Sequence, residues 1–393
     1  MGRLVRIVVA GVVSALALSG LIRLYAPVSG AERQLAFIRA ELDRGAGEAA
    51  QGMFPEGYFF LHALYGLAWV DVGRHHRRAE AVREARWALA RLDGPQGTAP
   101  FSEGLSPRFG VFHAGWTNRL LGGIVGLDPD PALVERFEAD ARAIAAAFDG
   151  SASPFLPAYP GQSWPVDSAV AVASLRLHDE LLTPAFGATV QRWVAAARQR
   201  LDPATGLLPH VTDPASGEPL QGARGSSQSV IQRFLPEIDQ EFAREQYLRF
   251  RELFVGRPLG LGPAVREYPK GTDGPGDVDS GPLPLGVSLS ATVVTIGAAR
   301  AEGDDSLASA LAHYGELAGV PMQTPGTKRY AFGLLPIGDA FLVWAQTAPA
   351  RAEAPPAVAG PLWRVPLTVL LLLAGAGPWL RWRKPKRRQQ LGE

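Results

Sequence analysis

Twelve segments of helical character follow one another along the chain, and they alternate strictly between two kinds. Residues 58–70, 112–126, 164–177, 226–238, 283–299 and 332–344 are apolar on most or all sides, 226–238 being the most polar of them. Residues 31–42, 75–92, 131–148, 184–201, 240–254 and 304–317 are apolar on one face only. A helix apolar all round must be buried on every side, whereas an amphipathic one covers it and turns its other face to water. Strict alternation of the two predicts an all-α fold, a closed ring of six helical hairpins or (α/α)6 toroid. Local signals agree. Tyr247, Phe250 and Phe254 share one face of 240–254. Asp130 and Pro131 supply a cap and a first-turn proline for 131–148.

Connection lengths add a second signal. Links from outer to inner helices are long, at 93–111, 149–163, 202–225, 255–282 and 318–331. Links from inner to outer are short, as at Val72-Gly73, Leu182-Thr183 and Gly303. Connections of about 4–6 residues are usual, and long ones tend to carry function. In such a ring all the long links emerge at one rim, beside the N-terminal ends of the inner helices. Those ends favour anionic groups and developing negative charge, so the site is expected there.

Two apolar stretches flank the helices. Residues 7–22 follow Arg3 and Arg6, and 361–380 are followed by Arg381, Arg383, Lys384, Lys386, Arg387 and Arg388. Positive charge is retained on the cytoplasmic side, so both termini are expected inside and everything between them outside, in a bacterial-type inner membrane. An uncleaved anchor is favoured for the first stretch, although 26–31 offers small residues for signal cleavage. The expected organisation is an anchor at 1–28, a toroid at 29–347, a Pro/Ala linker at 348–360, a second span at 361–380 and a basic cytoplasmic tail at 381–393. Net charge of +1 gives no electrostatic case for a nucleic-acid partner. With no cysteine, thiolate catalysis, disulfides and Cys-ligated metals are excluded.

Several rim residues stand out. Asp167 lies in the first turns of an otherwise apolar helix, where a carboxylate is costly unless paired or functional. The segment 265–281 gathers Arg266, Glu267, Tyr268, Lys270, Asp273, Asp277 and Asp279, any of whose acids would complete an acid/base pair with Asp167. The plainer reading of that segment is a solvated Gly-rich turn. Asp277-x-Asp279 lacks the glutamate that a calcium loop needs, so no metal is expected. Arg224 precedes Ser226 at a helix start and is suited either to clamp an anion or to tie the loop down. His113 is the best-placed histidine for proton transfer, with a structural histidine as the alternative. Tyr58, Trp116, Tyr159 and Trp164 offer rings to a sugar or an apolar ligand, or simply to the core.

The series Gly115-Trp-Thr-Asn118, residues 169–179, Asp202-Pro-Ala-Thr-Gly206, Tyr247-Leu-Arg-Phe250, Val265-Arg-Glu267 and Gly271-Thr-Asp273 resembles, in that order over 112–311, the linalool dehydratase/isomerase domain family. Gly115-Trp-Thr-Asn118 is similar to that family's Gly-His-x-Asn helix, and residues 169–179 (AVAVASLRLHD) to its Ser-Val-Ala-Tyr-Leu-Ser-Leu-Trp-Val-Tyr-Asp helix. The resemblance implies an α/α toroid and acid/base dehydration or isomerisation of a small alcohol without a redox cofactor. The family's helix His is Trp116 here, and one of its cysteine positions holds Asp167. On this reading Asp167 is one acid/base group, Asp279 or Glu267 its partner, and Arg224, Asp273 and His113 orient the substrate. Two alternatives remain open: a glycan hydrolase or lyase of the six-hairpin type, and a non-catalytic envelope scaffold in which Asp167 is salt-bridged to Arg224 or Arg266.

Overall fold

The computed structural model describes residues 2–350 and 361–380. The basic tail at 381–393 and most of the Pro/Ala linker lie outside the described residues. Sixteen helices are present among those residues: α1 (Arg3–Tyr25), α2 (Ala31–Leu42), α3 (Ala46–Met53), α4 (Gly57–Gly73), α5 (Arg78–Leu92), α6 (Pro95–Thr98), α7 (Gly110–Leu127), α8 (Pro131–Asp149), α9 (Pro165–Leu181), α10 (Gly187–Arg198), α11 (Gly225–Ile238), α12 (Gln240–Phe254), α13 (Leu289–Ala301), α14 (Asp305–Ala318), α15 (Pro336–Thr347) and α16 (Val365–Leu380).

The ring closes. α4 packs on α7, α7 on α9, α9 on α11, α11 on α13, α13 on α15, and α15 returns to α4. Burial follows the apolar pattern: every residue of α4 except Phe60 is buried. α5 instead buries Ala81, Ala85, Ala88 and Leu92 at helical spacing and exposes its other face, apart from Glu84, which is buried against Arg39 and Tyr65. α5, α8, α10, α12 and α14 cover the ring from outside, and α2 completes the outer layer against α15 and α4. Small residues set the closest approaches. A Cβ at Gly115 would lie 3.0 Å from the Ala171 backbone, so α7 and α9 meet with no room for a side chain there.

Helix starts follow the expected chemistry. Asp130 accepts from the Ala132 amide at 2.9 Å, Asp239 from Phe242 at 2.8 Å and Asp304 from Leu307 at 3.0 Å. Each such cap contributes about 1 kcal/mol. Some boundaries differ from expectation. α13 begins at Leu289 rather than 283, because the Pro-rich run before it forms a tight turn at Pro284–Gly286. α15 begins at Pro336, where proline's missing N–H does no harm, rather than at 332. The short helices α3 and α6 were not expected, being too short and too Gly-rich for a periodic signal.

Four of the five long crossovers are joined along one rim, since each hydrogen-bonds its neighbour. The Val111 amide donates to Pro157 O (3.0 Å), Thr212 to Ser163 O (3.1 Å) and Gly225 to Glu267 O (2.8 Å). Three two-stranded ribbons stiffen them: β1–β2 (Val211–Thr212, Pro219–Gln221), β3–β4 (Val255–Gly256, Ala264–Val265) and β5–β6 (Met322–Gln323, Lys328–Arg329). At the opposite end the ring is shut by a charge network of buried Asp71, Arg119 and Arg233 with the more exposed Arg74 and Glu237, beside a space of about 10 Å³.

α1 and α16 are long and apolar enough to cross a membrane. They pack antiparallel: Tyr25 Oη meets Thr368 Oγ1 at 2.8 Å, and Ser14 Oγ donates to Gly375 O at 2.9 Å. Ala10, Ala17 and Leu24, seven residues apart, are buried, while most of the other apolar side chains of α1 remain exposed.

Candidate functional site

The first turn of α9 begins at Pro165, and its third residue is Asp167. Asp167 is only 5% exposed. Its carboxylate has no ion-pair or hydrogen-bond partner among the described residues. A helix N-terminus favours the charged form, but burial outweighs it. Burial first, then the nearby carboxylates of Asp279 and Glu56, push Asp167 well above the usual carboxylate range.

The crossover before α9 is fixed by its serines. Ser168 Oγ accepts from the Leu156 amide at 3.0 Å, and Ser163 Oγ donates to Phe155 O at 2.9 Å. This bend presents Tyr159, whose hydroxyl donates to Glu56. Gly110 is needed here for its left-handed backbone (φ 82°), and because a Cβ would sit 2.4 Å from Ala158 O. Tyr159 stacks on Phe101 (5.8 Å) and meets Trp164 edge-on (5.8 Å), forming an aromatic wall beside the acids.

Asp279 comes from the crossover between α12 and α13. Asp277 shapes that turn by accepting the amides of Asp279 (3.1 Å) and Ser280 (3.0 Å). Arg224 clamps it from α11's start, with Nη1 on Asp277 and Nε on Glu267 (2.8 Å). Asp279 is reached by solvent, yet protein atoms crowd the concavity around it. That crowding, with Asp277 next, raises its carboxyl to about 6, against the opposing pull of Arg224. The shift is smaller than that of Asp167 because water still reaches it. Asp279 and Glu56 thus both raise the carboxyl of Asp167, and Glu56 adds to the rise at Asp279.

Other expected residues lie elsewhere. Glu267 is fully buried and accepts from Arg224, the Ser226 amide (3.1 Å) and Ser226 Oγ (2.7 Å). It ties α11 to the crossover and has no oxygen turned to the mouth. His113 packs among Phe59, Phe101 and Phe109, with Nε2 3.4 Å from Leu92 O. Burial lowers its pKa and so favours the neutral ring. Trp116 is core, edge-on to Phe60, Phe234 and Trp344. Tyr58 packs tilted against His62, with ring centroids 4.3 Å apart. Asp273 is exposed and pairs with Arg266, on the wall of an outer groove of about 440 Å³. The salt bridge of Asp167 to Arg224 or Arg266, expected of a scaffold, does not form, because those arginines hold Glu267, Asp277 and Asp273.

Glu56 and Phe101 were not anticipated. Glu56 immediately precedes α4, so an acid just before an apolar inner helix was the available signal. Nothing in sequence spacing marks Phe101. Among the described residues no cluster of His, Cys, Asp and Glu is arranged to hold a metal ion.

No family model matches the chain, so the likeness to linalool dehydratase/isomerase has no support there. No curated protein matches it either. Among solved structures the chain is similar to an unsaturated glucuronyl hydrolase specific for heparin. Identity is 11%, the TM-score is 0.50, and the match covers 73% of this chain and 84% of that one. At this identity the likeness establishes the fold, a six-hairpin α/α toroid.

Proposed function

We propose that this chain is a membrane-anchored, extracytoplasmic enzyme that cleaves glycans by acid/base chemistry at the mouth of the toroid. The observation that carries the reading is the pair of unpartnered carboxyls, Asp167 and Asp279, with their protonation pushed apart by environment. Two carboxyls of unequal acidity are what glycosidic cleavage uses, one giving a proton and one taking it. Asp167, whose carboxyl burial raises well above the usual range, is the general acid for the departing oxygen. Asp279, ionised above about pH 6, takes the proton from an attacking water. Glu56, held by Tyr159, keeps negative charge beside Asp167 and so keeps that proton in place. The wall of Phe101, Tyr159 and Trp164 offers rings for a sugar to stack on.

A glycan fits this mouth better than a small terpene alcohol. The residue standing where that family carries histidine, Trp116, is sealed in the ring's aromatic core. The likeness to a glycan hydrolase supports the same class. The two apolar helices support an anchored protein, with the toroid outside the cytoplasm.

The test is turnover of an oligosaccharide panel by the full chain in nanodiscs, followed by mass spectrometry. Cleavage is expected to fall by about 10²–10⁴-fold in Asp167→Asn, the usual contribution of a positioned acid. Unchanged cleavage in that variant would remove the assignment.

A further inference from the structure

The rim carries a feature that the acid pair does not use. Three of its turns, Pro258-Leu259-Gly260, Pro284-Leu285-Gly286 and Ala331-Phe332-Gly333, end in the same pair of left-handed residues. Leu259, Leu285 and Phe332 are left-handed, with φ of 55°, 56° and 63°, and each is followed by a left-handed glycine. Such turns favour Asn or Gly at the first position, and a bulky apolar residue there is strained. Each strained side chain stands in solvent, 80%, 61% and 64% exposed respectively. Val320 follows the pattern, with φ 45° and 40% exposure. Leu334 and Leu335 extend the same apolar fringe. Val278, Leu289, Met322 and Leu220 are exposed in or beside other rim crossovers, and the remaining exposed large apolar residues of the toroid among those described, Met53, Leu181 and Leu248, are scattered. Scattered residues need no explanation, but a fringe held in strained turns does.

α1 shows what lies opposite that fringe. Leu24 packs with Ala310, in the middle of α14, and with Trp363 and Leu367. Four residues earlier, Gly20 faces Leu317 in the last turn of α14. Arg23 reaches Pro321 O, just beyond that helix, at 3.5 Å. Moving back along α1 therefore leads towards the C-terminal end of α14, where the crossover carrying Val320 and Phe332 begins. Residues 4–19 run on past the rim for roughly 24 Å at 1.5 Å per residue. α16 accompanies them, antiparallel. Leu261, two residues from the Leu259 tip, packs where the two helices leave the toroid. The apolar helices and the apolar fringe thus project from the same side, which is also the side of the acidic mouth.

We infer that the rim docks on the bilayer that α1 and α16 cross, with Leu259, Leu285 and Phe332 inserted among the lipids and the mouth facing the membrane surface. Exposed Arg257, beside the Leu259 tip, is placed to meet anionic headgroups. The inference rests on α1 and α16 spanning a membrane and is independent of the acid/base reading. If that reading also holds, the mouth first meets glycans tethered to the lipid surface.

The chain has no cysteine, so one introduced cysteine carries one label. Nitroxides are attached to full-length Leu259→Cys, Leu285→Cys and Phe332→Cys in nanodiscs of phosphatidylcholine and phosphatidylglycerol. Leu248→Cys, on the outer face of α12, is the water reference and Leu372→Cys, in α16, the lipid reference. The ratio of collision with oxygen to collision with a water-soluble nickel chelate is measured at each. The tips are expected to exceed Leu248→Cys by about fivefold or more and to approach Leu372→Cys. Tips matching Leu248→Cys while Leu372→Cys is lipid-like would overturn the docking and leave the spans intact. A water-like Leu372→Cys would overturn the docking and the spanning reading together. Spin–spin broadening at the tips would make a second copy the occupant and likewise overturn it.

Discussion

Asp167 and Asp279 differ by environment, not by type. One is sealed in a helix start, the other sits in an open concavity, and the difference gives them separate roles. The pH dependence follows with a definite sign. Cleavage needs Asp279 ionised, so kcat/KM should rise as pH passes up through about 6. It needs Asp167 protonated, so the rate should fall again once pH exceeds that residue's raised pKa. Removing Asp279 should abolish the acidic limb in whatever activity remains, which pH–rate profiles of wild type and Asp279→Asn would check. Glu267 makes the contrasting case. Its removal leaves Arg224 short of a partner in a buried site, so Glu267→Ala should cost about 3 kcal/mol or more, measured by chemical unfolding.

At the scale of elements, the helices were legible because burial imposes a period. α4, apolar on every side, and α12, with Tyr247, Phe250 and Phe254 on one face, were read within a few residues of their bounds. The crossovers were legible only as long and eventful. Their conformations depend on single close approaches that no periodicity records. Gly225 is one: a Cβ there would lie 2.1 Å from Arg266 O, across the link that carries the Arg224–Glu267 pair. Gly225→Ala should therefore destabilise the chain by about 2 kcal/mol, within the range for overpacking, visible as a lowered Tm. Asp167 was legible as a charge in an apolar helix. Glu56 was not singled out, because an acid before a helix ordinarily serves the helix dipole. Glu267 and Asp279 looked alike in sequence, and only their neighbours separate them. Arg224 and Ser226 hydrogen-bond the first, while the second has no such bond from either.

For the whole molecule, closure of the ring has two consequences. It shuts one end with the Asp71, Arg119, Arg233 and Glu237 network and leaves the joined long crossovers at the other. It also sends α1 and α16 out past that same open end, so the catalytic proposal and the membrane proposal concern one face of the protein. That face depends on a carboxyl whose proton burial holds well above the usual carboxylate range. Infrared difference spectroscopy of the full chain between pH 4 and 9 reads this directly. The account predicts a protonated-carboxyl band that persists well above the usual carboxylate range, is absent in Asp167→Asn, and titrates at lower pH in Asp279→Asn. Loss of all carboxyl protonation near pH 4, with the two variants indistinguishable from wild type, would contradict it.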